Sequence, residues 1–393
     1  MTSYYFLLSV AVIILSTKFM GRLSERVHMP QVVGALVAGL LLGPSVLGWV
    51  ENTDFLEKTS EIGVIILMFM AGLDTDLKEI KSRAGAYLVI AMAGVLIPLV
   101  GGFGAYIFYF DVDMGSRDQL LEAVFMGVVL TATSVSITVE ALREMGKLNG
   151  PVGSAILGAA VLDDIIGIII LTLVTSMKDT TVSMTAVLIK IGLYAVVMGV
   201  LAAVVYAARN SLNELKDTRR VSIYVFAIVL VVAFCTERYF GVADITGAYL
   251  VGLFLSDLEI KHEIARKMTV PSYLYFSPIF FASIGIKTQL SGMTGSLALF
   301  AAIILVIAIA SKVIGCGLGA RVCGYSGHQA LQIGVGMVSR GEVALIVAQK
   351  GYGLGLLSGV LFSPVVLVVI VTTIVTPILL KQIMAEKSET PTE

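Results

Sequence analysis

Charge is scarce in this chain. Only 14% of its 393 residues are Asp, Glu, Lys or Arg, against about 25% in an ordinary soluble domain, so a water-exposed surface could not be covered. The net charge of −1 is uninformative, but the lack of a basic stripe with interleaved aromatics argues against a nucleic-acid partner. Cysteine and histidine number three each. Cys235, Cys316 and Cys323 have no metal-ligand spacing and read as small packing residues. His28, His262 and His328 lie at or near predicted helix ends. With no nucleotide, metal-cluster or nucleophile motif, neither enzyme chemistry nor a cofactor is expected.

Apolar residues fill the space. They make up 57% of the chain, and the mean hydropathy is +0.95. Crossing a hydrocarbon core of roughly 30 Å takes about 20 helical residues, and runs near that length recur almost end to end. Thirteen are read, at residues 4–20, 30–50, 59–75, 84–110, 119–141, 150–176, 182–208, 220–238, 242–257, 271–287, 293–321, 328–350 and 356–380. Lipid-exposed backbone must satisfy its own hydrogen bonds, and alternating barrel strands are absent, so the expected fold class is an all-α polytopic membrane protein. The first span is followed, not preceded, by positive charge and ends in no small-residue cleavage pattern, so it is expected to be retained. Counted loop by loop, eighteen Lys and Arg fall on one side and six on the other, with Lys190, Lys312 and Arg340 inside spans. The positive-inside rule then puts the N-terminus outside and the C-terminus in the cytoplasm of a multi-pass cell-membrane protein.

Two pairs of segments match at one offset of 213 residues. VGALVAGLLLGP (33–44) aligns with TGAYLVGLFLSD (246–257), and AGLDTDL (71–77) with IGIKTQL (284–290). Span 2 thereby corresponds to span 9 and span 3 to span 10, seven crossings apart, and an odd separation inverts the second copy. Two inverted six-helix repeats, spans 1–6 and 8–13, with span 7 connecting them, are the expected architecture. Such repeats are a signature of alternating-access transporters, whose site lies where discontinuous helices meet.

Spans 5 and 12 have the composition of such helices. Span 5 contains TATSVSIT (131–138), with hydroxyls at Thr131, Thr133, Ser134, Ser136 and Thr138; span 12 contains GVGMVSRGEV (334–343), with three glycines, Ser339, Arg340 and Glu342. Unwound backbone frees carbonyls for a hard cation, although hydroxyls that bond back to their own helix and glycines that allow close packing would read the same way. Directly after span 5's broken region comes AAVLDDIIGIII (159–170), with Asp163 and Asp164 deep in an apolar run. An ionised carboxylate at the bilayer centre costs about 2.5–3.5 kcal/mol or more. Adjacent helical positions point about 100° apart, so the two can have different partners. Lys312, in ASKVIG (310–315), is the obvious counter-ion for Asp163, which leaves Asp164 for solvent, a proton or a cation. Arg340 and Glu342 could balance one another near the span 12 break, or Glu342 could cap a half-helix; the role read for them is structural, not that of a direct ligand of the ion.

TATSVSIT, ILGAAVLDDIIG, ASKVIG and GVGMVSRGEVALIV occur in the order and spacing of the monovalent cation:proton antiporter-2 family. Across essentially its whole length the chain resembles that family's NapA-like sodium/proton exchangers. The resemblance implies the NhaA/NapA-like antiporter fold with crossed discontinuous helices. Residues 81–178 and 291–384 would form a moving core, 1–80 and 219–290 a dimerisation domain, 179–218 a linker helix and 385–393 a cytoplasmic tail, in a homodimer. It further implies Asp164 as the carboxylate that carries ion and proton, Asp163 as the partner of Lys312, and Thr133 and Ser134 lining the unwound crossing, so that the ion site is Asp164, Asp163, Thr133 and Ser134, supported by Lys312, Arg340 and Glu342. Members with both aspartates and the lysine are expected to be electrogenic. The chain departs from the potassium-efflux branch in ending shortly after span 13, and from the NapA pattern in having Ser339 where proline is common. The function so implied is secondary active Na⁺(Li⁺)/H⁺ antiport. K⁺/H⁺ exchange, a cation channel and an ion-sensing receptor are the alternatives.

Overall fold

The computed structural model describes residues 4–27, 29–75, 77–178, 184–210, 218–287 and 293–385; the side chains at 77, 79–81, 176, 184, 218, 219, 342, 349 and 385 lie outside that description, as does His28. Among the described residues there is no strand. In chain order the helices are α1 (Tyr5–Arg26), α2 (Gln31–Leu42), α3 (Asp54–Asp74), α4 (Leu77–Phe110), α5 (Arg117–Thr131), α6 (Val135–Glu144), α7 (Pro151–Lys178) and α8 (Met184–Ala207). There follow α9 (Thr218–Cys235), α10 (Asp244–Leu255), α11 (Lys261–Pro271), α12 (Ser277–Ile286), α13 (Gly295–Val322), α14 (Gly327–Gly336), α15 (Gly341–Gly353) and α16 (Phe362–Ala385). Nine helical segments among the described residues are long and apolar enough to cross a membrane, with α2 and α10 as shorter apolar helices. The protein is an all-helical polytopic membrane protein.

Helix occupies part of every predicted extent, with informative differences at the ends. The second extent, expected to reach residue 50, is helical only over α2. Gly43 is extended, at φ −71° and ψ 176°, and proline follows; a residue before proline is pushed out of the α region. The chain then folds back, and Trp49 and Val50 both donate to the Leu42 carbonyl. The tenth extent starts earlier than expected: α11 runs through a π-helical turn, Ser272–Phe276, into α12. Three helix starts are capped by side chains, by Thr53 and Thr294 accepting from Leu56 and Leu297 N–H and by a reciprocal Ser326–Gln329 capping box.

Burial separates the helices by role. α8 leaves Leu188, Ile189, Leu193, Val196, Val200 and Val204 exposed, a face suited to lipid rather than water, and Lys190 shares that exposure. The paired helices α5–α6 are buried instead. Two apolar clusters hold them. One gathers Tyr87, Ile137, Leu142, Ile156, Ile333 and Val335; the other gathers Phe125, Met126, Val129, Phe300, Ala344 and Val365. The polar interruptions of α5–α6 and α14–α15 lie between these clusters.

Candidate functional site

Helix stops at Thr131 and resumes at Val135, and stops again at Gly336 and resumes at Gly341. Residues Ala132 and Ser134 have extended backbone, ψ 138° and 104°. The two interruptions touch: Ser134 N donates to Ser339 O at 2.8 Å, and Thr138 Oγ1 to Gly336 O at 2.7 Å. Gly341 has φ +48°, and a Cβ there would collide with the Ser134 side chain, so only glycine fits. Breaking a helix at this depth strands carbonyls that water cannot reach. Arg340 meets two acceptors from different segments, donating from Nη1 to Ala132 O at 2.9 Å and from Nη2 to Ala308 O at 2.8 Å. Its charge also faces the negative end of α5. The expected balance between Arg340 and Glu342 falls outside the described residues, because Glu342 sits in the first turn of α15 with its side chain among those not described.

The long helix α7 brings the aspartates to this crossing. Asp163 Oδ1 lies 2.8 Å from Lys312 Nζ of α13, the two side chains 2% and 0% exposed. Asp164 is half-buried, and its Oδ2 accepts from Thr246 Oγ1 of α10 at 3.4 Å. Sequence reasoning placed Asp164 outside the Asp163–Lys312 pair and assigned no role to Thr246. A cavity of about 70 Å³ adjoins both aspartates, walled by Thr131, Ala132, Gly167, Leu171, Ala243 and Val347 among others. Thr133 and Ser134, expected to line the crossing, are buried within it; on the cavity wall itself stand Thr131 and Ala132 from the same segment. Ser134 and Ser136 hydroxyls are 3.1 Å apart. Asp164 is thus a half-buried carboxylate beside a cavity with the Thr246 hydroxyl against it, and carboxylate and hydroxyl oxygens are the ligand type that hard cations take. Among the described residues no group of His, Cys, Asp and Glu could hold a metal ion as a dedicated cage.

A family model described as "Sodium/hydrogen exchanger, transmembrane" matches residues 10–386. The chain belongs to the sodium/hydrogen exchanger family. Among its relatives within curated proteins, the "Na(+)/H(+)-K(+) antiporter GerN" of Bacillus cereus is 40% identical over 392 residues, covering 98% of both chains. The "Na(+)/H(+) antiporter" of Enterococcus hirae is 33% identical, covering 95% of this chain and 96% of its own. Among solved structures, the sodium proton antiporter MjNhaP1 of Methanocaldococcus jannaschii at pH 8 superposes with a TM-score of 0.72 at 16% identity, over 96% of this exchanger-family chain and 97% of its own. At that identity the likeness speaks to fold.

Proposed function

We propose that the chain is a secondary active Na⁺(Li⁺)/H⁺ antiporter in which cation and proton compete for Asp164. The observation that carries this reading is the asymmetry of the two aspartates: one is closed against Lys312, and the other borders a cavity. An ionised carboxylate resists passage through the low-dielectric interior at about 2.5–3.5 kcal/mol or more. Loading with a proton or a cation removes that penalty, so the core moves loaded and not empty, and exchange follows. Asp163 and Lys312 set the charge moved per cycle, making the exchange electrogenic. Thr133, Ser134 and Arg340 hold the crossing open, and Glu342 supports it.

The architecture proposed with it has thirteen crossings in two inverted repeats, a core of residues 81–178 and 291–384, a dimerisation domain of 1–80 and 219–290, a linker over 179–218 and a homodimeric assembly. The N-terminus lies outside and the C-terminus in the cytoplasm of the cell membrane. One contact pair supports the repeats. A Cβ on Gly39 of α2 would strike Ala282 O of α12, and one on Gly285 of α12 would strike Leu40 N of α2. The 213-residue offset turns Gly39 into Gly252 and Gly285 into Gly72. That second pair also touches: a Cβ on Gly72 would strike Tyr249 O, and one on Gly252 Phe69 O. Two glycine contacts exchanged by one offset are what a pseudo-two-fold axis produces. The offset continues onto residues 76 and 288–290, which lie outside the described residues.

K⁺/H⁺ exchange is the second reading, favoured by one relative's printed name, a Na(+)/H(+)-K(+) antiporter. Purified protein in liposomes with an imposed pH gradient separates the readings. Collapse of the gradient on adding Na⁺ or Li⁺ is expected. Collapse with K⁺ alone would replace the substrate, and cation flux without proton movement would replace antiport with a channel.

A further inference from the structure

Thr246 lies on α10, in the domain against which the core is proposed to move. It is 1% exposed. Six other threonines satisfy themselves locally: Thr59, Thr75, Thr172, Thr236, Thr372 and Thr376 each donate to the carbonyl four residues earlier. Thr246 cannot follow them. It stands in the first turn of α10, which begins at Asp244, where no helical carbonyl precedes it by four. Its hydroxyl reaches Asp164 instead, and Ala243, one turn earlier, walls the cavity that Asp164 borders. The residue in register with Thr246 in the first repeat is Val33, which packs in an apolar cluster. A hydroxyl is thus present in the copy that faces the carboxylate and absent from its counterpart.

We propose that Thr246 supplies a hydroxyl oxygen to the monovalent cation carried by Asp164, from the domain opposite the core. The proposal rests on the antiport reading and deepens it. A hydroxyl has one donor hydrogen and two acceptor lone pairs. Without a cation it donates to the carboxylate; with one, the hydrogen turns away and the oxygen faces the ion, the arrangement that hard cations take. Asp164 travels with the core while Thr246 stays, so this ligand is in reach at one position of the core and lost as the core leaves. Cation affinity is thereby tied to domain position.

The test compares Thr246→Val, which keeps shape and removes the oxygen, with Thr246→Ser, which restores it, each in the full chain. Two readouts are used: Na⁺-dependent proton movement in liposomes, and the rise in detergent melting temperature on titrating Na⁺. The valine variant is expected to raise the KM for Na⁺ about tenfold, the size of one lost contact to a charged group. Its maximal rate should change far less than its KM, its melting temperature without Na⁺ should fall slightly because the Thr246–Asp164 hydrogen bond is lost, and serine should restore both that temperature and the wild-type KM. A valine variant matching wild type in both KM and Na⁺ stabilisation would overturn the proposal, as would equal loss of maximal rate in both variants at unchanged KM. Failure of the antiport reading looks different: the wild-type chain itself would move no protons with Na⁺, while the melting titration would still decide whether Thr246 holds the cation.

Discussion

Asp163 is 2% exposed with its carboxylate 2.8 Å from the Lys312 ammonium, whereas Asp164, the next residue, is half-buried, bonded to a hydroxyl from α10 and open to a cavity. One turn of α7 thus carries an ion-paired carboxylate and one that borders a cavity. The difference comes from direction: side chains about 100° apart on a helix meet different neighbours, here α13 on one side and α10 on the other. A buried ion pair holds together because removal of either partner strands the other. A half-open carboxylate can exchange its occupant.

The comparison breaks most readily at Lys312. Lys312→Ala leaves Asp163 buried without its ammonium, a loss of about 3–5 kcal/mol, read as a large fall in melting temperature in detergent. Asp163→Asn combined with Lys312→Met should recover most of it. If Lys312→Ala melts like wild type, the pair is not what separates the two aspartates.

The Asp163–Lys312 pair was legible in the sequence because charge is so rare: Lys190 and Lys312 are the lysines deep in predicted spans, and α8 exposes Lys190. The two interruptions were legible too, because hydroxyls and glycines cluster where the helices fail. Thr246 was not. Its partner lies 82 residues away on another helix, and no spacing rule encodes that; the one available signal was a threonine where the repeat has Val33. The early end of α2 was hidden because hydropathy continues through Gly43 and Pro44 while the backbone does not. The π-helical turns at Thr236–Phe240 and Ser272–Phe276 left no mark on an apolar periodicity.

Smaller effects sharpen the frame around the site. Gly39→Ala and Gly252→Ala each drive a Cβ into backbone of the facing helix and should cost a similar amount, about 1–3 kcal/mol, by thermal denaturation. A cost at one position and none at the other would remove the pseudo-symmetric pairing. The smallest effect belongs to the exposed rim, where Lys287 Nζ lies 2.8 Å from Glu57 Oε1. The lysine holds the Glu57 carboxyl below its ordinary value of 4.5. A depressed carboxylate stabilises the fold above its unfolded value and loses that contribution as pH falls through the folded one. Both side chains are partly exposed, so screening limits the pair to about 0.2–1 kcal/mol. Lys287→Ala should lower the melting temperature slightly at pH 7, and the difference should vanish once the pH is well below 4.5; a difference persisting in acid would assign it to packing.

The central claim is that Asp164, and not its neighbour, is the loaded carboxylate, and the most direct measurement follows Na⁺-driven proton movement in liposomes holding Asp164→Asn. Folded protein with no exchange, and with Na⁺ no longer raising its melting temperature, is the predicted result. Exchange near the wild-type rate in that variant would contradict the account and move the transport site elsewhere.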